Sequence, residues 1–379
     1  MKICIITGTF RPGASGPSTY LYNLCNILID KGHEVGIITY GKLKGGKKEK
    51  DYPYPIKRIS RRYPLPFRLI SFFYNIILIG RKYDLLYVND YGLPATIANF
   101  FLRKPLIMKI VGDFAWEYSI RKGLIKPDQD IDEFQKKNFG FRVNFFKGLQ
   151  KFYAKRAKMI IAPSEYFKEL ISGWGISREK IKVIYNAVDV QKYALEHSKE
   201  EIRNKLNLDP EAKIILTIAR LSPWKGIDKI ISMLPEIAKK IPKVKYLIIG
   251  EGDKSYLEQL AKSCEDRINF LGKIDYLKIP YWLKAADVFV LYSGYEGFSH
   301  VILEAMAAGI PIIASKKGGN PEAIDELLIP WGKEEELKKA IIKVLNNQEF
   351  AQKLVKKERI KEFNWDKLIK ETLKVFKQV

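Results

Sequence analysis

Short β-branched apolar runs alternate with longer helix-patterned segments along the whole chain of 379 residues. This alternation restricts the fold more than any other feature, because parallel strands need long crossover connections that are usually helical. It predicts βαβ units and parallel sheets. We predict strands at Ile3–Thr7, Val35–Thr39, Leu85–Val88, Leu106–Ile110, Met159–Ala162, Lys182–Ile184, Ile214–Ala219, Lys245–Ile249, Ile268–Leu271, Val288–Leu291 and Pro311–Ala314.

The alternation occurs once in each half of the chain, and the length suits two domains. We therefore predict an α/β protein with two Rossmann-like, doubly wound parallel-sheet domains that face each other across a cleft. Ligands are expected at the carboxyl ends of the strands. The predicted domains are residues 1–186 and 187–364, and helices are expected at Lys225–Lys240 and Glu334–Leu345.

The positive charge is concentrated in the first half of the chain. Lys and Arg number 66 against 43 Asp and Glu, a net charge of +23, and residues 1–190 hold 33 basic and 16 acidic side chains, net +17. Such an excess points to an anionic partner. The basic, aromatic segment Ile56–Lys82 has no RNA-binding signature, so we expect no nucleic acid partner.

Cysteine usage and the apolar stretches suggest a cytoplasmic protein. Cys4, Cys25 and Cys264 are too few and too scattered for a disulfide framework. No signal-peptide pattern precedes the first strand. The nearly apolar stretch Leu69–Gly80 is too short to span a bilayer as a helix.

Several motifs are incomplete. The lysine-rich segment Gly41–Lys48 lacks the final Ser or Thr of a phosphate-binding loop, and the glycines after the first strand do not form Gly-x-Gly-x-x-Gly. Asp128 and Asp130 form Asp-x-Asp, which some transferases use to bind a metal–nucleotide complex. The alternative, which we prefer, is a capped helix start. No metal site is predicted, since the three His residues are far apart in sequence.

Three segments of the second half carry residues suited to a diphosphate. Arg220 follows a strand, and Lys225 is expected at the start of the next helix, where two cations and free helix amides can bind phosphate oxygens. Glu296-Gly297-Phe298-Ser299 follows another strand and precedes a helix. Glu304 lies inside that helix among apolar residues, so its carboxylate needs a partner, which a ribose diol can supply.

The third segment, Lys316–Glu322, contains a Gly-Gly-x-Pro-Glu turn whose glycines permit close approach to a ligand. Together, the Glu-x₇-Glu spacing, the Arg220/Lys225-Gly226 pair and this turn resemble the retaining glycosyltransferases of family 4, which have the GT-B fold. Shorter matches occur in the family's order along the chain. They are Gly32-His33-Glu34-Val35, Ala162-Pro-Ser-Glu165, Tyr185-Asn-Ala-Val-Asp189, Gly250-Glu-Gly252 and Phe270-Leu-Gly272.

The resemblance implies transfer of a sugar from a nucleotide diphosphate sugar, with retention of configuration and without a required metal or other cofactor. The implied donor is a UDP-sugar, or alternatively a GDP- or ADP-sugar. Arg220 and Lys225 would neutralise the leaving diphosphate, and Glu304 would hold the ribose. The donor sugar would be held by Glu296 and by the amides of Gly297, Phe298 and Ser299, with Gly252 and Gly272 near the base and Gly16 approaching from the first domain. A C-terminal helix within residues 365–379 would pack back on that domain.

The sequence departs from the family at one place. Many members carry a His after a first-domain strand, whereas Lys109–Glu117 contains none. Asp113 is the nearest titratable residue, and it is either a replacement that orients or deprotonates the acceptor or a helix cap.

The acceptor is expected to be a lipid-linked or other cell-envelope glycan, as in polysaccharide biosynthesis. Basic residues around Leu69–Gly80, namely Arg58, Arg61, Arg62, Arg68, Arg81 and Lys82, suggest peripheral contact with an anionic membrane from the cytoplasmic side. The alternative is a buried Rossmann helix. Two other functions stay open: a related sugar-nucleotide epimerase, and a binding module with an inactive site.

Overall fold

The computed structural model describes residues 1–10, 16–41, 52–89, 92–355 and 358–379. The chain forms two compact units. Unit 1 comprises Met1–Ile125, Asp132–Ile184 and Leu368–Val379, and unit 2 comprises Lys126–Ile131 and Tyr185–Lys367. Each contains a parallel sheet with helices, which confirms the predicted α/β class with two Rossmann-like domains.

The strands are β1 Lys2–Thr7, β2 Glu34–Tyr40, β3 Ile56–Ile59, β4 Leu85–Asn89, β5 Leu106–Lys109, β6 Met159–Ala162, β7 Ile181–Val183, β8 Lys213–Ile218, β9 Val244–Ile249, β10 Ile268–Gly272, β11 Val288–Leu291, β12 Ile312–Ser315 and β13 Leu328–Ile329. The helices are α1 Gly16–Asp30, α2 Leu65–Gly80, α3 Gly92–Leu102, α4 Phe114–Arg121, α5 Ile131–Lys136, α6 Phe141–Lys155, α7 Glu165–Ser172, α8 Lys199–Lys205, α9 Ile227–Lys240, α10 Ser255–Ala261, α11 Ile279–Ala285, α12 His300–Ala308, α13 Asn320–Ala323, α14 Glu334–Asn346, α15 Gln348–Lys353 and α16 Trp365–Lys377.

In unit 1 the strand order is β3-β2-β1-β4-β5-β6-β7, and in unit 2 it is β10-β9-β8-β11-β12-β13. The first strand of each half lies inside its sheet, so Ile3 pairs with both Val35 and Leu85. Burial on both faces explains why these strands are almost continuously apolar rather than alternating.

Two strands were not predicted, and both are at sheet edges. The sequence of β3 is Ile-Lys-Arg-Ile, with buried isoleucines enclosing two basic residues, and β13 has only two residues. Each is too short and too weakly apolar to stand out from loop sequence, and each gains its extended form from the neighbouring strand.

Carboxyl ends of parallel strands share one edge of a sheet. In unit 2 the segments after β8, β9, β10, β11 and β12 therefore lie at the same edge, and they contain Arg220, Gly252, Gly272, Glu296 and Gly318. The lysine-rich segment beyond Gly41 falls outside the described residues.

Among the helices that the structure describes, none is long and apolar enough to cross a bilayer.

Candidate active site

The segment after β8 places two cations at the carboxyl edge of unit 2. Arg220 is exposed two residues beyond the strand, and Lys225 ends a short 3₁₀ turn, Pro223–Lys225. The helix begins at Ile227 rather than at Lys225, which corrects the predicted start. Gly226, between Lys225 and Ile227, adopts the left-handed conformation, with a φ of 64°.

Gly226 also marks a close approach of two loops. A Cβ at this position would lie 1.9 Å from the carbonyl oxygen of Tyr292, just beyond β11. The amide of Gly294 donates to the carbonyl of Trp224 at 2.8 Å. The loops after β8 and β11 are thus joined through their backbones, which sets the relative positions of Lys225 and Glu296.

Lys225 and Glu296 form an ion pair. Their Nζ and Oε1 atoms are 2.5 Å apart, and the two side chains are only 13% and 12% exposed. A charged pair this shielded from water is held by a mutual hydrogen bond. The sequence expectation assigns Lys225 to the diphosphate and Glu296 to the donor sugar, and the structure brings the two side chains into direct contact.

The Gly-Gly turn packs against the backbone of Glu296. Gly318 has φ of 61°, and a Cβ there would lie 2.0 Å from the Glu296 carbonyl oxygen, so the position requires glycine. The amide of Gly319 donates to the same oxygen at 2.9 Å. This turn therefore fixes the main chain of Glu296.

Ser299 is the N-cap of α12, and its hydroxyl accepts from the amide of Ile302. The other amides of the first turn are donors suited to an anion. The ring of Phe298 is buried, 4.9 Å from that of Tyr185 and 5.4 Å from that of Phe363. This aromatic packing anchors the loop, and it is compatible with the expected role of the Phe298 amide.

Glu304 is 8% exposed inside α12, where the hydroxyls of Tyr193 and Tyr276 interact with its carboxyl group, and the Tyr193 hydroxyl donates to that of Tyr276 at 3.5 Å. Burial raises the pKa of Glu304 to about 7, although the two tyrosine hydroxyls oppose the rise. Burial also raises the pKa of both tyrosines, so their hydroxyls stay protonated. A carboxyl group with a pKa near neutral pH, next to tyrosine hydroxyls, can accept hydrogen bonds from the diol of a ribose.

The glycines of the neighbouring loops lie close together. The amide of Gly250 donates to the carbonyl of Gly272 at 2.9 Å, and Gly252 pairs with Leu221 in an isolated parallel bridge. Gly272 has a φ of 64°, and a Cβ at this position would have no atom within 4 Å. The loops after β8, β9 and β10 thus form a connected rim at this edge of unit 2.

In unit 1, Asp113 is fully buried and is the N-cap of α4. Its carboxylate accepts from the Trp116 amide at 2.9 Å, from Gln135 at 2.8 Å and from Gln150 at 3.1 Å. Burial raises its pKa, and these hydrogen bonds oppose the rise. This geometry favours the capping alternative over the catalytic one. Gly16 begins α1, and the loop before it falls outside the described residues.

Asp130 is paired with a cation. Its carboxylate lies 2.6 Å from Nζ of Lys317, within unit 2, and α5 begins at the next residue. Within the described part of the chain, no group of three or more His, Cys, Asp or Glu is arranged to hold a metal ion.

Residues 198–361 match the family model of the glycosyl transferases group 1, and residues 14–192 match that of glycosyltransferase family 4. The chain is a group 1 glycosyltransferase of the family 4 type. It therefore transfers a sugar from a nucleotide sugar. The resemblance stated from the sequence is confirmed.

This glycosyltransferase has relatives along its whole length. An uncharacterized glycosyltransferase of Methanocaldococcus jannaschii is 27% identical, over 100% of this chain and 98% of the relative. Alpha-monoglucosyldiacylglycerol synthase of Streptococcus pneumoniae is 26% identical, over 85% of this chain and 72% of the synthase. The solved structure of Anabaena HepE in complex with UDP and glucose has a TM-score of 0.81 at 21% identity, covering all of both chains. That structure supports the GT-B fold of this glycosyltransferase.

Tyr193 and Tyr276 of this glycosyltransferase lie beside Glu304, and no sequence motif predicts them. Tyr193 ends a short 3₁₀ turn and Tyr276 begins another, and neither lies in one of the family motifs. They were not found because they are 111 and 28 residues from Glu304 in sequence. The sequence does indicate that such partners exist, because a carboxylate among Leu303, Ala305 and Met306 requires hydrogen-bond donors from elsewhere in the fold.

Proposed function

We propose that this glycosyltransferase moves a sugar from a UDP-sugar to an acceptor hydroxyl, with retention of anomeric configuration and without a required metal ion. The observation that carries the proposal is the shielded Lys225–Glu296 pair at the carboxyl edge of unit 2. In this proposal the ammonium group of Lys225 pairs with the negative charge of the leaving diphosphate, and the carboxylate of Glu296 accepts hydrogen bonds from hydroxyls of the donor sugar.

Departure of a nucleoside diphosphate builds negative charge on its phosphate oxygens. Lys225, Arg220 and the first amides of α12 are cationic or hydrogen-bond donors at one sheet edge, and they can stabilise this charge without a metal. When the phosphate arrives, Lys225 can divide its hydrogens between Glu296 and a phosphate oxygen. Glu296 is then oriented to accept from sugar hydroxyls.

Glu304 supports a nucleotide sugar in general, and the choice of uridine rests on a structural neighbour. The carboxyl group of Glu304, next to the hydroxyls of Tyr193 and Tyr276, can accept from a ribose diol, which UDP-, GDP- and ADP-sugars share. HepE, which shares the fold, was solved with UDP and glucose. GDP- and ADP-sugars are the alternatives that a binding experiment separates.

A lipid-linked or other cell-envelope acceptor is supported by one relative and by charge. The Streptococcus pneumoniae relative is named for a glucosyl diacylglycerol product. The basic excess of residues 1–190 lies in the half that would receive the acceptor. We propose that the enzyme works at the cytoplasmic face of a membrane.

The first experiment measures thermal shifts of the purified protein with UDP, GDP, ADP and their sugars. The cognate nucleotide should raise the melting temperature most, since a ligand that binds only the folded state stabilises it. The second incubates the preferred donor, radiolabelled, with extracted lipids. We expect label in the lipid fraction and, by NMR, the donor's anomeric configuration in the product.

Lys225→Ala should lower turnover by roughly 10²-fold, the effect of losing one preorganised charge-stabilising group. Lys229→Ala is the matched control, because Lys229 lies in the first turn of the following helix α9, with a side chain 41% exposed in weak ion pairs. Near-normal turnover of Lys225→Ala contradicts the proposed site. Formation of an epimerised UDP-sugar without transfer would instead identify an epimerase, and binding without turnover would identify an inactive module.

A further inference from the structure

Exposed large apolar side chains are concentrated on one part of unit 1. Of the 16 such residues in the described chain, 12 lie on or beside helices α2, α3, α4 and α6. Concentrations of this kind mark interaction sites more often than scattered exposed residues do. We call this set the apolar face: Tyr63, Phe67, Ile70, Tyr74, Leu78, Ile97, Phe100, Phe101, Phe114, Phe141, Phe145 and Phe152.

Helix α2 is apolar on two opposite sides. Phe72 and Ile76 point into the core and are 0% exposed. Phe67, Ile70 and Tyr74 lie on the other side at helical spacing and are 65%, 62% and 59% exposed. Burial in the core thus explains only one side of the segment Leu69–Gly80, whereas a surface helix of a soluble protein normally has a polar outer side.

The apolar face continues onto the neighbouring helices. Helix α2 packs beside α3, and α3 packs beside α6. The rings of Phe73 and Phe101 are 5.9 Å apart, and those of Phe100 and Phe152 are 6.5 Å apart. On α6, Phe141, Phe145 and Phe152 recur at i, i+4 and i+11, on one side of the helix.

Charge around this surface is mainly positive. Helices α2, α3 and α6 contain no Asp or Glu, and α4 contains one acidic residue, Glu117. The guanidinium of Arg156 lies 4.8 Å from the Phe100 ring centroid and 5.2 Å from that of Phe152. Exposed basic residues also occur at both ends of α2, namely Arg62, Arg81 and Lys82.

We infer that the apolar face docks on the surface of an anionic lipid bilayer. The exposed rings enter the boundary between headgroups and acyl chains, and the basic residues contact acidic headgroups. A second copy of the chain fits this surface less well, because two such faces would bring like charges together. This inference rests on the proposed function in one respect only: the lipid acceptor gives the enzyme a reason to dock on a membrane.

The test is co-sedimentation with vesicles of phosphatidylcholine alone and of phosphatidylcholine mixed with phosphatidylglycerol. The protein should bind the acidic vesicles, and added salt should weaken the binding. The combined substitutions Phe67→Ser, Ile70→Ser and Tyr74→Ser should lower partitioning at least about tenfold. Tyr256→Ser on α10 is the apolar control, since Tyr256 is 62% exposed outside the apolar face.

The charge variant combines Arg62→Glu, Arg81→Glu and Lys82→Glu, and it should also lower partitioning about tenfold or more. Arg61 is left unchanged because its guanidinium donates to the Gly8 carbonyl at 2.8 Å and so supports the fold. Lys239→Glu with Lys240→Glu, at the exposed end of α9, is the charge control and should bind like wild type.

Insertion is measured with an environment-sensitive fluorophore on Ile70→Cys, because the three native cysteines are buried. Its emission should rise and shift to the blue with acidic vesicles, whereas the same label on Tyr256→Cys should not respond. The inference is overturned if wild type stays in the supernatant at low salt, or if the serine variant still binds. It is also overturned if the apolar face instead drives self-association. The melting temperature and the UDP shift of each variant separate these results from misfolding and from failure of the proposed donor site.

Discussion

Glu304 shows how one side chain can make donor binding depend on pH. Its pKa of about 7 in the free protein means that the carboxylate is partly protonated near neutrality. Ribose hydroxyls donate to the ionised form, so protonation removes an acceptor when the donor binds. Affinity should therefore rise as pH increases through 7 and level off above it.

Calorimetric titration of UDP-glucose at pH 6, 7 and 8 measures this dependence, because that diphosphate diester does not titrate over the range. Below the pKa, affinity should change by up to about tenfold per pH unit. Glu304→Gln should bind more weakly with a flat profile. Equal affinity of wild type at all three pH values would show that Glu304 does not meet the ribose.

Tyr193 and Tyr276 prepare this carboxylate. Both hydroxyls lower the pKa of Glu304, so they reduce the cost of burying its charge. Tyr276→Phe should shift the midpoint of the pH profile upward, whereas Tyr281→Phe, in the adjacent helix α11, should leave it unchanged. If the midpoint of the pH profile shifts in both variants, or in neither, then Tyr276 does not set the pKa of Glu304.

Among the structural elements, α4 tests the role of Asp113. A capping role predicts that Asp113→Asn retains most of the transfer activity, since an amide oxygen can still accept from the Trp116 amide. Asp113→Ala should lower the free energy of unfolding by about 1–3 kcal/mol, because it removes the cap and leaves two glutamine amides without their acceptor.

These two variants are compared by chemical denaturation and by initial rates. A catalytic Asp113 would reverse the pattern. Asp113→Asn would then fold normally while its turnover fell by orders of magnitude.

The turn between β8 and α9 gives a second prediction for an element. Gly226→Ala adds a methyl group 1.9 Å from the Tyr292 carbonyl oxygen, at a left-handed position. We expect the free energy of unfolding to fall by roughly 3 kcal/mol, from backbone strain together with the displaced loop.

Gly272→Ala is the matched control for this substitution. It has the same φ of 64° and no atom within 4 Å of the added methyl group, so it reports backbone strain alone, about 1 kcal/mol. Equal destabilisation by the two variants would mean that the contact with Tyr292 does not constrain the turn. A fall in UDP affinity of Gly272→Ala would place Gly272 near the base, as the sequence predicts.

For the whole molecule, metal dependence distinguishes two ways of binding the donor diphosphate: by cationic side chains, or by a metal ion held by Asp128 and Asp130. Charge stabilisation by Lys225 and Arg220 predicts that EDTA leaves transfer unchanged. Asp130→Asn should have only a small effect through Lys317, with which Asp130 pairs at 2.6 Å. Asp128→Asn, at an exposed neighbouring position, should have none.

Radiolabel transfer with and without EDTA measures this directly. If Asp128 and Asp130 bound a metal–nucleotide complex, both asparagine variants would lose activity to a similar degree. EDTA would also inhibit, and Mn²⁺ would restore transfer. Either result would overturn the proposed metal independence.

The sequence alone determined the features that depend on local patterns. Apolar runs of strand length separated by helical periodicity predicted the parallel sheets, because the side-chain periods of strands and helices are set by neighbouring residues. The Glu-x₇-Glu spacing, the Arg220/Lys225-Gly226 pair and the Gly-Gly-x-Pro-Glu turn together predicted the family, because each of them is a short stretch of sequence. The two short edge strands β3 and β13 were missed, since pairing rather than propensity makes them strands.

Tertiary structure decided what each side chain contacts. Lys225 and Glu296 are 71 residues apart, and only the packing of two loops brings their charges to 2.5 Å. Packing likewise buries the ring of Phe298, supplies Glu304 with two tyrosine hydroxyls and surrounds Asp113 with glutamines. It also determines which side of α2 faces the core and which faces water, because a helix that is apolar all round does not itself distinguish its two sides.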